Sequence, residues 1–374
     1  MTQRRAGWPA WVLVAAACLV AAGVMALAMN GRSTASYIEG QDTVKSSAES
    51  VRPAPQKDGQ VAEVKAMLTN LVVDPAHKHK NMLVFPIRFS GKQAAGDWST
   101  LDEATAAGRL KVLEKDQASV PEVQLQNIGD RSVLIVSGEI ISGGKQTRVA
   151  RKDAILEPKQ HIALAVFCVE QSRWAGGKEF KGSGNMAPVT IQQGIMTGED
   201  QTKVWQRAQE SNSSNAASPA TGSLDEGLNS PKAAERKAAA HQDLGHFSPP
   251  DTIGIAVADA RTGRVVGLEL FGQRVLFEKV EDKLVEGYAM DLVPPDVAWK
   301  DSDGHRVTEK DVEAFIARVL DGTSRYEETP GSGRGIDLVS GTIRGKGVAE
   351  GNIIMHISIQ DVKAVVTPVK PIVR

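Results

Sequence analysis

The chain has 374 residues, of which 44 are basic and 45 acidic, so its formal net charge is −1. Binding to a phosphate backbone normally needs clustered positive charge, and no basic block is present, so we expect no nucleic-acid partner. The two cysteines are Cys18, in an N-terminal apolar segment, and Cys168. The folded part therefore retains one cysteine and cannot form an internal disulfide.

The first 30 residues have the composition of a targeting segment. Two arginines precede an uncharged run, 8–29, in which Ala, Val and Leu dominate. Three hypotheses stay open: a signal peptide cleaved near Ala28, an uncleaved membrane anchor over 8–29, or lipidation at Cys18. Each exports the remaining chain, so we expect a periplasmic or other extracytoplasmic protein whose only membrane contact is this segment.

Composition also divides the rest of the chain. Residues 31–60 are rich in Ser, Thr, Gln, Pro and charge, which predicts a disordered linker. We expect 61–362 to form a single domain and 363–374 to form a C-terminal tail. The stretch at about 210–235 is poor in residues to bury and is predicted to be an exposed, low-complexity insertion within that domain.

The first half of the domain is rich in β-type runs. Leu83 to Phe89 predicts a strand that Pro86 restricts to an edge or a bulge. A short helix is predicted to open at Thr100 and stop at Gly108. His161 to Val169 is apolar on both alternating faces, which is typical of a strand buried on both sides. Further strands are predicted at 110–114, 120–126 and 132–137.

The second half combines a hairpin, helices and closing strands. Helices are predicted over 200–209 and 276–292, and Thr308-x-x-Asp311 resembles a capping box that opens another. Further strands are predicted at 253–258, 264–270, 336–342 and 353–359. No βαβ alternation occurs. The sequence therefore predicts an α+β fold with a mainly antiparallel sheet or sandwich core and two to four packed helices.

The richest polar stretch is "SGEIISGGKQTRVARKD", residues 137–153. The pair Gly143-Gly144 would let a ligand approach the backbone closely. In an extended chain Gln146 and Arg148 would then share one face, where an amide and a guanidinium suit a carboxylate or phosphate. Glu139 would orient that guanidinium. A β-hairpin with an ordinary solvated end remains the alternative.

The second polar stretch follows the buried strand, in "FCVEQSRW". Cys168 shares its face with apolar residues, so we interpret it as a core residue rather than a nucleophile. Glu170, Arg173 and Trp174 follow at the end of the strand. They predict either a structural ion pair under an aromatic lid or a rim that faces a ligand, and both interpretations stay open.

Metal and cofactor motifs give no positive signal. The seven histidines do not show metal-ligand spacing, so no metal site is predicted. No G-x-S-x-G, H-E-x-x-H, GxGxxG or P-loop pattern occurs, so the sequence names no cofactor.

Residues 138–174, "GEIISGGKQTRVARKDAILEPKQHIALAVFCVEQSRW", resemble the signature of the ADP-ribosylglycohydrolase- and rhodanese-phosphatase-associated protein domain family. Three further blocks look similar in the same order: "VWQRAQ" with "SPATGSL", "GRVVGLELFGQRVLFEKVEDKLVEGYAMD", and "MHISI". The resemblance covers roughly residues 65–360. It implies no defined reaction, because the family's name records associations rather than an activity.

The resemblance implies that the charged signature residues share one site, a mixed-charge pocket roofed by Trp174. Our first hypothesis is a non-enzymatic exported domain that binds a small anionic ligand or a protein partner. The expected ligand-binding residues are Lys145, Gln146, Arg148, Arg173 and Trp174.

Two enzymatic hypotheses stand beside it. One is a hydrolase or transferase acting on a phosphate- or ribose-containing compound, with ADP-ribose-related chemistry implied by the family association. Glu139 or Glu170 would then serve as general base. The other is a thiol enzyme that uses Cys168.

Overall fold

The structure is a computed structural model that describes residues 59–115, 121–247, 249–293, 295, 299–300 and 304–364. Contacts divide the chain into Met1–Arg52 and Pro53–Arg374, and every described residue belongs to the second unit. The predicted leader 1–30, the linker up to residue 58 and the tail beyond Ala364 lie outside the described residues. None of the described helices has the length and apolar character needed to cross a membrane.

The helices of the described part are α1 (Ala62–Leu68), α2 (Leu101–Ala106), α3 (Val189–Thr197), α4 (Gln201–Ser214), α5 (Leu224–Leu228), α6 (Pro231–Leu244), α7 (Arg274–Glu278), α8 (Glu281–Leu292) and α9 (Glu309–Leu320). The strands are β1 (Leu71–Val73), β2 (His77–His79), β3 (Met82–Phe89), β4 (Ser99–Thr100), β5 (Leu110–Glu114), β6 (Glu122–Asn127), β7 (Val133–Ile135), β8 (Glu139–Gly143), β9 (Arg148–Ala150), β10 (Ala154–Leu156), β11 (His161–Cys168), β12 (Glu179–Met186), β13 (Thr252–Asp259), β14 (Arg264–Phe271), β15 (Thr323–Glu327), β16 (Arg334–Ser340), β17 (Ile343–Glu350) and β18 (Ile353–Asp361).

One large sheet has the strand order β1-β3-β13-β14-β18-β17-β16-β15, with β2 also paired to β3, and all its pairs are antiparallel. Apolar residues on one face pack with α1 and α9, and those on the other pack with α7 and α8. Because both faces are covered, the central strands β13 and β14 are apolar on both sides.

The second sheet closes on itself as a barrel with the order β11-β6-β5-β12-β8-β9. Alternate residues of each strand point inward, and Val112, Leu125, Ile141 and Leu164 belong to the barrel core. Leu101 of α2 packs into the same core. A small sheet, β10-β7-β4, lies outside these two.

These elements confirm the α+β class and the antiparallel sheets. The number of helices was wrong, because the described residues form nine rather than two to four. The helix predicted over 276–292 is two helices, α7 and α8, separated at Lys279 and Val280. Both predicted caps are present, since Thr100 and Thr308 each form a capping box.

Two further expectations need correction. The stretch 210–235 is mostly helical and packed, with Leu224, Leu228 and Ala233 buried, so it is not an exposed loop. Strand β3 is not an edge strand, although it contains Pro86, but the predicted alternative of a bulge is present: its pairing with β13 shifts register beside Pro86, at Ile87 and Arg88. Pro86 has no N–H to donate, but its nitrogen faces the gap between β1 and β2, where no described strand needs that donor. In the same gap the carbonyl of Pro86 accepts from the amide of Asp74 at 3.0 Å.

Candidate functional site

The two glycines after β8 serve packing between strands. Gly143 and Gly144 have φ of +114° and +50°, a region that favours glycine. A Cβ on Gly143 would lie 2.8 Å from the carbonyl oxygen of Glu179, and one on Gly144 would lie 2.1 Å from the ring of Phe180. The close approach predicted for a ligand is therefore made by β12 of the same chain.

The turn that follows brings the two signature stretches together. Strands β9 and β11 are antiparallel, with Arg148 opposite Cys168. This pairing places Glu170 beside Thr147, the residue before β9. Both oxygens of the Glu170 carboxylate are then occupied.

The Glu170 carboxylate accepts five hydrogen bonds. Thr147 donates its amide at 2.8 Å and its hydroxyl at 2.9 Å, and the hydroxyl of Thr221 donates at 2.6 Å. Arg173 donates through Nε and Nη2, both at 2.8 Å. Burial raises the pKa of Glu170, but these donors outweigh it and lower the pKa to about 2. A saturated carboxylate that stays ionised at neutral pH is poorly suited to act as general base.

Arg173 has no donor left for a ligand. Besides its two bonds to Glu170, it donates to the carbonyls of Gly143 at 3.1 Å, Gly144 at 2.8 Å and Ala175 at 2.8 Å. All five guanidinium N–H groups are therefore used within the chain. Arg173 holds the glycine turn against the end of β11.

Arg148 is inaccessible for a different reason. Its side chain is fully buried in the end of the barrel, where Nη1 donates to Gln146 at 3.0 Å and Nη2 lies 3.8 Å from Glu114. The amide of Gln146 in turn donates to the carbonyl of Glu170 at 2.9 Å. Gln146 and Arg148 do share one face, as predicted, but that face points into the protein. We call this set the Glu170 network; its members are Glu114, Gln146, Thr147, Arg148, Glu170, Arg173 and Thr221.

Two of the predicted ligand-binding residues stay at the surface. Trp174 is 49% exposed, and Lys145 Nζ lies 5.3 Å from its ring centroid. Trp174 does not line the cleft described below, and the predicted aromatic roof over a shared site stays a prediction.

Glu139 does not join the Glu170 network. It begins β8, four residues and roughly 13 Å from Gly143 along the strand. There it is buried, 2.5 Å from Lys283 of α8, which also binds Asp102 at 2.6 Å. Burial raises the pKa of Glu139, and the ammonium of Lys283 opposes this rise. The expected orientation of Arg148 by Glu139 is therefore wrong.

Cys168 is a buried core residue. Gln201 of α4 holds its backbone, accepting from the Cys168 amide at 2.9 Å and donating to the Cys168 carbonyl at 2.7 Å. Its thiol donates to the carbonyl of Glu170 at 3.1 Å. The interpretation of Cys168 as a packed residue agrees with these contacts.

A cleft of about 380 Å³ opens between the barrel, the end of α3 and the large sheet. Its wall contains both charged residues and small or apolar residues. The barrel contributes the loop 151–153 and Ala165, α3 contributes Ile195 and Met196, and the sheet side contributes Glu327, Thr329 and Lys346.

Among the described residues of this wall, Arg151 supplies the guanidinium. Its Cζ lies 4.2 Å from the ring centroid of Phe167, so the ring holds the guanidinium face. Within the described part of the chain, this guanidinium makes no ion pair and no hydrogen bond to protein. Sequence reasoning missed Arg151, although it lies in the signature stretch, because its spacing does not distinguish it from Arg148.

The remaining charges of the cleft are paired. Lys346 lies 3.1 Å from Glu327 and 2.8 Å from Asp337, while Lys152 lies 3.9 Å from Glu327. Asp153 lies 2.7 Å from His356. Of the charges that the described residues bring to this wall, the one on Arg151 is therefore unbalanced.

His356 links the cleft to the core. It is fully buried on β18, with Nδ1 on Asp153 and Nε2 3.5 Å from Glu269. Burial lowers the pKa of His356, but the two carboxylates outweigh it and raise the pKa to about 10. Tyr288 and Ser358 donate to Glu269 at 2.7 and 2.8 Å, which satisfies that carboxylate from the other side.

The barrel, the large sheet and the signature network together define an α+β domain. The model of the ARG and Rhodanese-Phosphatase-superfamily-associated Protein domain (ARPP-1) matches residues 70–360, so the chain belongs to that family. Neither a search of curated proteins nor a search of solved structures found a match. The family suspected from the signature is thereby confirmed.

Proposed function

We propose that this chain is an exported domain that binds a small anionic ligand and does not turn it over. The observation that carries the proposal is Arg151, whose guanidinium faces a cleft, rests on Phe167 and has no acceptor among the residues that the structure describes. A guanidinium presents paired N–H donors that match a carboxylate or phosphate. The ring limits the motion of the side chain, which reduces the entropy lost on binding.

The proposed ligand site, at Arg151, differs from the site that the signature residues predicted. Arg173 uses its five donors inside the protein, and Gln146 donates to the carbonyl of Glu170. Arg148 is enclosed by burial: Nη1 donates to Gln146, while Nε and Nη2 have no hydrogen-bond partner among the described residues. These three residues therefore position the barrel end rather than contact a ligand. Lys145 and Trp174 remain at the surface and would suit a protein partner better than a small molecule. The cleft begins one residue after β9, which connects the two regions directly.

A hydrolase or transferase has less support. General-base catalysis needs an accessible carboxylate with a pKa near the working pH. Glu139 has a raised pKa but is closed off by Lys283, and Glu170 has a pKa of about 2. The acids of the cleft, Asp153 and Glu327, are each ion-paired.

Export is the second part of the proposal. It rests on the apolar segment 8–29, whose pattern favours a cleaved signal over a membrane anchor, and an anchor over a lipidated leader. Cell fractionation of the full chain tests it: recovery with the soluble cytoplasmic proteins would contradict export.

The ligand proposal is tested by thermal-shift and calorimetric titration of the purified full-length chain with phosphate, sulfate, acetate and benzoate. A ligand that binds the native state raises the apparent stability. We expect at least one of these anions to bind, and Arg151→Ala to abolish that binding.

The matched control is Arg318→Ala. Arg318 is exposed and also lies over a phenylalanine, 5.4 Å from the ring centroid of Phe315, but on α9 and outside the cleft. Binding should survive in this variant. Equal binding by the Arg151→Ala protein and the wild type would overturn the proposal.

A further inference from the structure

The charge balance of the cleft restricts its ligand. Three cations and two acids line it, namely Arg151, Lys152, Lys346, Asp153 and Glu327. Glu327 and Asp337 pair with the two lysines, and Asp153 is bound to the imidazole of His356. Among the described residues of the wall, Arg151 is then the cation without an acidic partner, and its positive charge is left for a ligand.

A doubly charged group would have to recruit a second cation. The other two cations of the described wall are both held by acids: Lys346 lies 3.1 Å from Glu327 and 2.8 Å from Asp337, and Lys152 lies 3.9 Å from Glu327. Withdrawing Lys346 would break two ion pairs. Phosphate monoesters carry roughly 1.5 to 2 negative charges at neutral pH, whereas a carboxylate carries one. The balance therefore favours a carboxylate.

The rest of the wall favours an apolar body. Ala165, Ile195 and Met196 line the cleft and are each only partly buried, so a ligand can cover them. The volume of about 380 Å³ falls within the range of roughly 300–1,000 Å³ that is usual for small-molecule sites. This space accommodates an aromatic ring or a short acyl chain beside the carboxylate.

We infer that the ligand of this cleft is a monocarboxylate with an apolar body, bound through Arg151 with its apolar part against Ile195 and Met196. The inference rests on the proposed anion-binding function and names its ligand class. It places pyrophosphate-bearing compounds such as ADP-ribose outside the preference of this cleft.

The test is calorimetric titration of the full-length chain at pH 7 with phenylacetate, acetate, phenylacetamide, phosphate, pyrophosphate and ADP-ribose. Phenylacetate should bind about tenfold or more tightly than acetate, because its ring covers apolar surface. It should also bind about tenfold or more tightly than phenylacetamide, which lacks the charge, and than the phosphate compounds.

Two variants separate the contribution of the Arg151 charge to binding from that of the apolar wall at Met196. Arg151→Ala should weaken phenylacetate about tenfold or more, and Met196→Gln should weaken phenylacetate while leaving acetate unchanged. Val275→Gln replaces an apolar residue that is 50% exposed and outside the cleft, and should change neither.

The possible failures are distinct. Tighter binding of pyrophosphate or ADP-ribose that depends on Arg151 would overturn the monocarboxylate inference and leave anion binding standing. Equal binding of phenylacetate and acetate would overturn the apolar part of the inference. If no probe binds in an Arg151-dependent way, the proposed function itself is wrong.

Discussion

Two arginines three residues apart, Arg148 and Arg151, lie in very different surroundings. Arg148 is fully buried in the barrel beside Glu114 and Gln146, within a network whose central carboxylate accepts five hydrogen bonds. Arg151 lies just beyond the strand, in an open cleft, and contacts the ring of Phe167. The difference shows that a charged signature can stabilise a fold, while the residue available to a ligand lies next to it.

The largest expected effect on stability belongs to His356, which binds Asp153 of the cleft wall. His356→Gln removes the imidazolium between Asp153 and Glu269, so these two buried carboxylates lose its positive charge. We expect the free energy of unfolding to fall by roughly 4–5 kcal/mol at pH 6, as measured by urea denaturation.

The pH dependence of this loss has a defined sign. The pKa of His356 is raised from 6.5 to about 10, so its stabilisation is complete below pH 6.5 and disappears as the pH rises to about 10. The gap between wild type and variant should therefore shrink over that interval. His161→Gln, at an exposed position on β11, is the control. A gap that stays constant from pH 6 to 10 would mean that His356 is neutral in the fold.

The next effect tests whether the Glu170 network is structural. Glu170→Gln replaces an acceptor oxygen by a donor among Arg173, Thr147 and Thr221. The free energy of unfolding should fall by about 3 kcal/mol at pH 7, and urea denaturation measures it.

The pH dependence of the stabilisation by Glu170 has the opposite sign to that of His356. The pKa of Glu170 is lowered from 4.5 to about 2, so its stabilisation is present above pH 4.5 and is lost as the pH falls toward 2. Glu179→Gln, at an exposed glutamate of β12, should change stability little. Stability equal to wild type in the Glu170→Gln protein would show that the network does not hold the barrel end, and would reopen it as a ligand site.

The smallest expected effect on stability belongs to Arg151→Ala. It removes one cation–π contact, worth roughly 0.5–1 kcal/mol, and breaks no ion pair among the described residues. The free energy of unfolding should fall by no more than about 1 kcal/mol in urea denaturation. A loss as large as that of Glu170→Gln would remove the contrast between the two regions, because Arg151 would then be structural as well.

Local patterns predicted the local elements well. The capping boxes at Thr100 and Thr308 depend on residues three apart, and both form as expected. Residues 110–114 form β5 with the predicted bounds. The antiparallel pairing of β9 with β11 places Cys168 opposite Arg148, and this one contact brings the two signature stretches together.

Long-range contacts explain what the sequence did not reveal. The stretch 210–235 looked unable to bury anything, yet Leu224 and Leu228 find a core formed by distant elements. Thr221 lies in the block "SPATGSL" that carried part of the family resemblance, and its hydroxyl reaches Glu170 across 51 positions of sequence. That block was the available signal for the docking of this segment.

The sequence by itself determined the α+β class, the caps, the core position of Cys168 and the family, because these depend on local spacing and on a long continuous motif. Only the tertiary structure decided which signature charges are enclosed and which one faces a cleft. The reason is that most of these partners come from remote segments: Arg173 meets the turn carbonyls of Gly143 and Gly144, while the contact found for Arg151 among the described residues is the ring of Phe167. Residue type identified Arg173 as an anion contact and did not distinguish Arg151; their surroundings reversed the two roles.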